Sequence, residues 1–166
     1  MKALLRLLLV PLVVLLLDQL TKLWVVARLP YGARRQVWGG FFDLVHVRNR
    51  GVAFGLFADG GPVSQAVLLL LVVLLSAFVA GQLWRLREQR FFAWALGLIL
   101  GGACGNLADR LLRGEVVDFL DFYLTVGGKA HHWPAFNLAD AAVSVGAVLL
   151  LGAELLHRPG PRAQGA

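Results

Sequence analysis

The chain has 166 residues, of which 58% are hydrophobic and only 16% are charged, and its mean hydropathy is +0.71. Sixteen Lys and Arg against ten Asp and Glu give a net charge of +6, which is far too little charge to coat a soluble globule with this much apolar material. The composition argues against a soluble fold, a disordered chain and, with a single cysteine, a disulfide scaffold; it predicts an integral membrane protein.

Four apolar stretches are long enough to cross a bilayer, whose core takes about 20 residues of helix. They cover residues 4–27, 62–84, 91–112 and 136–157. The first is expected to be retained, because its apolar run is too long for a signal peptide and no small-x-small cleavage site follows it. We therefore predict an all-α integral membrane protein with four transmembrane helices, with residues 1–158 forming a single membrane domain and residues 159–166 a disordered tail.

The charge distribution indicates an orientation. Four spans place both termini on one side of the membrane, together with the short link that contains Arg85, Arg87 and Arg90. By the positive-inside rule, this side faces the cytoplasm. The opposite loops, residues 28–61 and 113–135, carry a similar number of basic residues, but they are longer and the rule applies best to short loops. The arginines flank apolar blocks without any nucleic-acid motif, so we expect lipid headgroups beside them and no nucleic-acid partner.

Both outer loops contain strand-like runs. Residues 36–48 are rich in β-branched and aromatic residues and are expected to form one or two short strands that turn at residues 39–40. Residues 116–124 have the same character, and the two glycines at 127–128 offer a turn. Because both loops lie on one side of the membrane, we predict that they pair into a small sheet on its outer surface.

Two features of the spans concern packing and charge. Asp18 and Lys22 are four residues apart on one helix face and can pair, either as a structural ion pair or as part of a functional site. Gly97, Gly101 and Gly105 recur every four residues, which is the small-xxx-small pattern that lets two helices approach closely.

Polar residues continue along the third span and open the fourth. Asn106, Asp109 and Arg110 share one face at the outer membrane edge, although the last two are also typical of a helix end at the interface. Asn137 is a suitable N-cap, and Asp140 then falls at the third helical position, where the helix dipole favours an ionised carboxylate. Such a carboxylate can take a proton from water.

Asp118 interrupts an apolar strand-like run, and its poorly solvated position predicts a raised pKa. Two carboxylates whose pKa values are pushed apart can act as an acid–base pair on water, so Asp118 and Asp140 are candidates for such a pair. Spacing alone does not decide whether they meet, and Asp121 is a rival to Asp118. The adjacent His131 and His132 lack any metal-ligand spacing, so neither a metal nor another cofactor is predicted.

Five short motifs, in order over residues 10–150, together resemble the pattern of bacterial lipoprotein signal peptidase, also called signal peptidase II. They are DQxxK at 18–22, NRGVAF at 49–54, GGACGNLADR at 101–110, VVDF at 116–119 and PAFNLAD at 134–140. Two departures are slight: Trp133 stands where the family usually has Phe, and Leu120 where Ile is common.

The resemblance implies a four-helix aspartic protease of the bacterial inner membrane with a small extracytoplasmic β-sheet, the β-cradle. Such a protease removes the signal peptide of a prolipoprotein before a diacylglyceryl-modified cysteine, without a cofactor or an acyl-enzyme. The family's globomycin-type inhibitors are expected to occupy the same pocket, and membrane phospholipid is expected around it. The implied roles are catalysis for Asp118 and Asp140, pocket formation and substrate binding for Asn49, Asn106, Asp109, Arg110 and Asn137, and support of the site for Asp18 and Lys22.

A non-enzymatic alternative is a small transporter or assembly factor whose buried Asp residues relay protons or ions. The sequence contains no inverted repeat, and it places both key Asp residues at one membrane face rather than at the midplane. Both features favour the protease.

Overall fold

The computed structural model of the chain describes residues 2–51 and 61–156. Three parts of the sequence predictions lie outside these residues: the end of the NRGVAF motif at 52–54, the end of the fourth span at His157, and the tail at 159–166.

The described residues contain four helices: α1 (Lys2–Arg28), α2 (Pro62–Arg85), α3 (Arg90–Arg113) and α4 (Leu138–Leu156). Each contains a stretch that is long and apolar enough to cross a membrane, so the predicted four-helix membrane architecture is confirmed. Pro62 opens α2, where its missing N–H costs nothing. Helix α4 begins two residues later than the apolar stretch suggests, because Phe136 forms a β-bridge with Leu120 before the chain turns into the helix.

Helix α3 is the central helix and contacts α1, α2 and α4. Its glycines permit the close approach to α1 that the small-xxx-small pattern predicts. A Cβ atom on Gly101 would come within 2.7 Å of the Pro11 carbonyl oxygen and of the Val14 Cβ, and one on Gly105 within 2.5 Å of an Asp18 carboxylate oxygen. The α1–α3 contact therefore brings polar groups of the two helices together near the end of the bundle that carries the sheet.

The loops at residues 28–61 and 113–135 pair into one sheet, which confirms the prediction that they do so; its four strands are antiparallel and lie in the order β1-β2-β3-β4. The strands are β1 (Arg34–Trp38), β2 (Phe42–Asn49), β3 (Val116–Val126) and β4 (Lys129–His132). The turns fall at the predicted glycine pairs, where Gly40, Gly127 and Gly128 adopt positive φ angles of 80°, 59° and 77°.

The sheet has one face on α1 and the other toward the remaining helices. Val117 and Phe119 of β3 pack on Val25 and Leu29 at the C-terminal end of α1. Because side chains alternate along a strand, Asp118 points to the opposite face.

Candidate active site

A cavity of about 1240 Å³ lies between the sheet and helices α2, α3 and α4. Its polar end contains five of the residues singled out from the sequence and the cavity continues into an apolar part between α2 and α4. The polar lining includes Asn49, Asn106, Arg110, Asp118 and Asp140, and the apolar lining includes Val72, Leu75, Val79, Ile99 and Val143.

The start of α4 holds Asp140 by a reciprocal cap. The Asp140 backbone N–H donates to Asn137 Oδ1 at 3.0 Å, and the Asn137 backbone N–H donates to Asp140 Oδ2 at 3.1 Å. The capping arrangement predicted from the spacing is therefore present. It fixes the Asp140 carboxylate at the cavity wall.

Asp118 reaches the same wall from strand β3. Its Oδ1 accepts a hydrogen bond from Asn137 Nδ2 at 2.7 Å, and its Oδ2 accepts one from Asn49 Nδ2 at 3.1 Å. Asn137 thus contacts both carboxylates, one through its backbone and the other through its side chain. The fold brings together the two Asp residues that the sequence separates by a loop and a strand.

The surroundings of Asp118 raise its pKa from 3.8 to about 7. Burial is the largest cause, since only 3% of the residue is exposed, and the nearby negative charge of Asp140 adds to it. The hydrogen bonds from Asn49 and Asn137 oppose the rise. The direction is the one that its apolar sequence context predicts.

The orientation of the Asn106 amide follows from the chemistry of its neighbours. The Lys22 ammonium group can only donate, so the atom it contacts at 2.8 Å is Asn106 Oδ1. The amide nitrogen is then on the other side, where it donates to Asp140 Oδ1 at 2.7 Å. Lys22 therefore makes Asn106 a hydrogen-bond donor toward Asp140.

The same reasoning applies to the two amides that contact Asp118. A backbone N–H can only donate, and it occupies the oxygen of each amide: the Asp140 N–H contacts Asn137, and the Gly51 N–H contacts Asn49 Oδ1 at 2.9 Å. Each amide nitrogen consequently faces Asp118. All three asparagines therefore present donors to the carboxylate pair.

Behind this wall lies a fully buried ion cluster. Lys22 Nζ is 2.8 Å from Asp18 Oδ2 and 3.0 Å from Asp109 Oδ2, and all three side chains have 0% exposure. Asp18 also accepts the Ala139 backbone N–H at 3.0 Å and so ties α1 to the first turn of α4. The Asp18–Lys22 pair is thus both a structural ion pair and, through Asn106, a neighbour of the carboxylates.

Asp109 does not line the cavity, which differs from the pocket role that the resemblance implies. Its carboxylate is occupied by Lys22, by Arg113 and by the Val117 backbone N–H at 3.1 Å. Its helical position turns it toward α1 and the start of β3, so it supports the wall from behind.

Arg110 does line the cavity. Its Nη2 donates to the Gly51 carbonyl oxygen at 2.7 Å and its Nη1 to the Asn106 carbonyl oxygen at 3.2 Å. Its Nε is buried and has no hydrogen-bond partner among the residues that the structure describes.

The rival carboxylate, Asp121, lies elsewhere. It is three residues along β3 from Asp118 and therefore on the opposite face of the strand. There it pairs with Arg34 Nη1 at 2.7 Å and with His132 Nδ1 at 3.0 Å. It is not part of the cavity lining.

Two further residues, Gln19 and Arg113, contact the buried ion cluster although the sequence patterns above predict no role for them. Gln19 Nε2 donates to Asp109 Oδ1 and to the Gly105 carbonyl oxygen, both at 3.0 Å, while Arg113 pairs with Asp109 and donates to Gln19 Oε1 at 3.0 Å. A signal was available for Gln19, because a polar amide inside an apolar span needs a partner. The sequence gives no comparable signal for Arg113, because a basic residue is common at the C-terminal end of a helix.

Comparison with known proteins identifies the family. A sequence model described as signal peptidase (SPase) II matches residues 10–156. The chain belongs to the signal peptidase II family. A protein named lipoprotein signal peptidase from Cupriavidus taiwanensis is 49% identical over 144 residues, which cover 87% of this chain and 79% of that protein. One of the same name from Burkholderia thailandensis is 47% identical over 153 residues, covering 92% and 89%.

Solved structures agree with this membership. Two structures described as bacterial membrane enzymes superpose on the chain with TM-scores of 0.73 and 0.70, at 25% and 28% identity. They cover 95% and 91% of this chain, and in each case the match covers 92% of the solved chain. This signal peptidase II family member is therefore a multi-pass bacterial membrane protease.

Proposed function

We propose that this signal peptidase is an aspartic endopeptidase that cleaves prolipoproteins immediately before a diacylglyceryl-modified cysteine. The lipoprotein substrate is supported by the names of the relatives from Cupriavidus and Burkholderia. The proposed mechanism is supported by one observation: Asn137 donates hydrogen bonds to both Asp118 and Asp140 at one cavity wall. A transporter or assembly factor, the alternative left by composition, does not agree with membership of a peptidase family.

The two carboxyl groups have different roles in this mechanism. Asp140 accepts hydrogen bonds on both oxygens, from Asn106 Nδ2 and the Asn137 N–H, and lies at the cavity wall where it can receive a proton from water. Asp118, with its pKa raised to about 7, is available in the protonated form near neutral pH. The ionised Asp140 is the general base, and the protonated Asp118 is the general acid.

Catalysis then needs only water and the two carboxyl groups. Asp140 takes a proton from a water molecule while the oxygen of that water attacks the scissile carbonyl carbon. Asp118 gives its proton to the carbonyl oxygen. The tetrahedral diol collapses when Asp140 passes its proton to the leaving amine, the C–N bond breaks, and a diol hydroxyl returns a proton to Asp118. The products are a free carboxylic acid and a free amine, with no acyl-enzyme and no cofactor in the cycle.

The rest of the cavity positions the substrate. Arg110 Nε and the amide of Asn49 lie where they can bind the peptide backbone around the scissile bond, while the apolar part between α2 and α4 receives acyl chains of the substrate or of membrane phospholipid. Globomycin-type inhibitors would occupy the same polar end. The site faces the outer surface of the cytoplasmic membrane, with both termini in the cytoplasm.

The experiment that tests this function is cleavage of a purified diacylglyceryl-prolipoprotein by the detergent-solubilised protein and its Asp118→Asn, Asp140→Asn and Asp121→Asn variants. Losing either member of the pair should lower the rate by about 10²- to 10⁴-fold, because an amide cannot exchange the proton. Asp121→Asn is the matched control, because it removes a buried carboxylate from the other face of β3. Full activity in either of the first two variants would overturn the assigned pair.

A further inference from the structure

The wall of α4 below Asp140 contains one hydroxyl group in apolar surroundings. The helix contributes Val143, Ser144 and Val145 to the cavity, and α2 contributes Val72 and Leu75 opposite them. This part of the cavity lies within the membrane-spanning stretch of α4 (Leu138–Leu155). Ser144 is exposed to the cavity there, which places a polar group where acyl chains are expected.

The Ser144 hydroxyl makes no hydrogen bond to any part of the chain that the structure describes. Ser64, close to the N-terminal end of α2, is similar in this respect, but the two hydroxyls farther inside membrane helices behave differently. Thr21 Oγ1 donates to the Leu17 carbonyl oxygen at 2.8 Å, and Ser76 Oγ donates to the Val72 carbonyl oxygen at 2.7 Å. Such bonds within a helix are the usual solution in a membrane, because lipid offers a hydroxyl little else. Ser144 is therefore left able to donate to a ligand in the cavity.

We propose that Ser144 donates a hydrogen bond to an ester carbonyl oxygen of the diacylglyceryl group on the substrate cysteine. This inference rests on the proposed function and specifies how the site recognises the lipid. Ser144 is four residues after Asp140 on α4, which places it one turn, about 6 Å, deeper in the membrane on the same side of the helix.

The covalent structure of the substrate matches this separation. Seven bonds join the scissile nitrogen to the first ester carbonyl carbon, through the cysteine Cα, Cβ and sulfur, two glyceryl carbons and the ester oxygen. With ordinary bond lengths, this chain spans about 6–9 Å when partly extended. When the scissile bond lies at Asp140, an ester carbonyl is therefore within reach of Ser144.

The apolar side chains around Ser144 can bind any hydrocarbon chain and cannot recognise an ester. A hydroxyl donor gives the cavity a contact that depends on the carbonyl oxygen. It also fixes the depth of the lipidated cysteine, and with it the position of the scissile bond relative to the carboxylates. Ser144 is thus a binding and positioning residue, and it takes no part in proton transfer.

The test compares Ser144→Ala with the wild-type protein on two synthetic lipopeptides of the same sequence. One carries a diacylglyceryl group with two ester carbonyls, and the other carries a dialkylglyceryl ether that lacks them. We expect Ser144→Ala to lower kcat/KM for the ester substrate by about three- to tenfold and to leave the ether substrate unaffected, because the lost hydrogen bond is neutral. The wild-type protein should lose a similar factor on changing from ester to ether.

Ser76→Ala is the matched control, because its hydroxyl is satisfied within α2 and should not affect either substrate. The proposal is overturned when Ser144→Ala lowers kcat/KM equally for both substrates, since the hydroxyl then contacts the peptide or only supports the fold. It is also overturned when neither substrate is affected. Failure of the proposed aspartic mechanism is distinguishable, because it would show as undiminished cleavage by Asp118→Asn or Asp140→Asn.

Discussion

At the scale of single residues, Lys22 is a charged side chain that is buried completely away from water. Its ammonium group is completely buried, with two carboxylates and the Asn106 amide oxygen as partners. Removing one member of such a cluster leaves uncompensated charge in a low-dielectric interior, which is far more costly than losing an exposed pair.

We predict that Lys22→Met lowers the free energy of unfolding by about 3–5 kcal/mol, because Asp18 and Asp109 would repel each other without a shared cation. Arg113→Gln is a suitable comparison. Arg113 also pairs with Asp109, but its side chain is 21% exposed, so water can replace part of the lost contact. Unfolding in detergent, followed by a tryptophan or dye signal, measures both variants. Equal destabilisation would contradict the special role of Lys22.

The pKa of Asp118 predicts the pH dependence of the reaction. Burial and the charge of Asp140 raise this pKa to about 7, so the carboxyl group is protonated below that pH and loses its proton above it. If the protonated form is the general acid, kcat/KM falls as the pH rises through about 7 and then decreases about tenfold per pH unit. The measurement is a pH profile of kcat/KM with a lipopeptide that has no group titrating in this range. A rate that rises or stays constant between pH 7 and 9 would contradict the assignment of Asp118 as the acid.

At the scale of elements, the glycines of α3 decide how closely the helices pack. A Cβ on Gly101 would collide with the Pro11 carbonyl oxygen and with Val14, and neither backbone can move without shifting α1. Gly81 of α2 offers a contrast, because nothing lies within 4 Å of a Cβ placed there.

We predict that Gly101→Ala destabilises the protein by about 1–3 kcal/mol through overpacking at the α1–α3 contact. Gly81→Ala should leave stability unchanged or raise it by up to about 1 kcal/mol, because alanine favours the helix. Thermal unfolding of both variants in the same detergent gives the comparison. A loss of stability in Gly81→Ala as large as that in Gly101→Ala would show that the effect is not specific to the α1–α3 contact.

The strands show what a local pattern can and cannot predict. The β-branched and aromatic runs and the glycine pairs at 39–40 and 127–128 predict strands and turns, because these properties depend on neighbouring residues. The pairing of β2 with β3 includes an irregularity between Leu44 and Val47, after which Val47 lies opposite Asp118. No property of either segment alone predicts that register.

At the scale of the whole molecule, the proposed orientation has a direct test. In a Cys104→Ala background, single cysteines replace Gln89 in the α2–α3 link and Lys129 at the start of β4, both of which are exposed. A membrane-impermeant maleimide added to spheroplasts should label Lys129→Cys and should label Gln89→Cys only after the membrane is permeabilised. The reverse pattern would contradict the cytoplasmic placement of both termini and the outward-facing site.

The membrane class, the four spans, the Asp18–Lys22 pair and the cap formed by Asn137 and Asp140 could all be predicted from the sequence. Each depends on length, composition or a spacing of three to four residues, and helical geometry converts such spacings into contacts without help from the rest of the fold. The strand propensities of residues 36–48 and 116–124 belong to the same category.

Only the tertiary structure decided which carboxylates share the cavity. Asp118 reaches it and Asp121 does not, because the register of β2 on β3 and the packing of Val117 on α1 set which face of the strand meets α4. Asp109 points away from the cavity because Lys22 of α1 and the start of β3 bind its carboxylate from the other side. These outcomes depend on contacts between segments that are far apart in sequence, and a slip of one residue in β3 would reverse which of Asp118 and Asp121 faces the cavity.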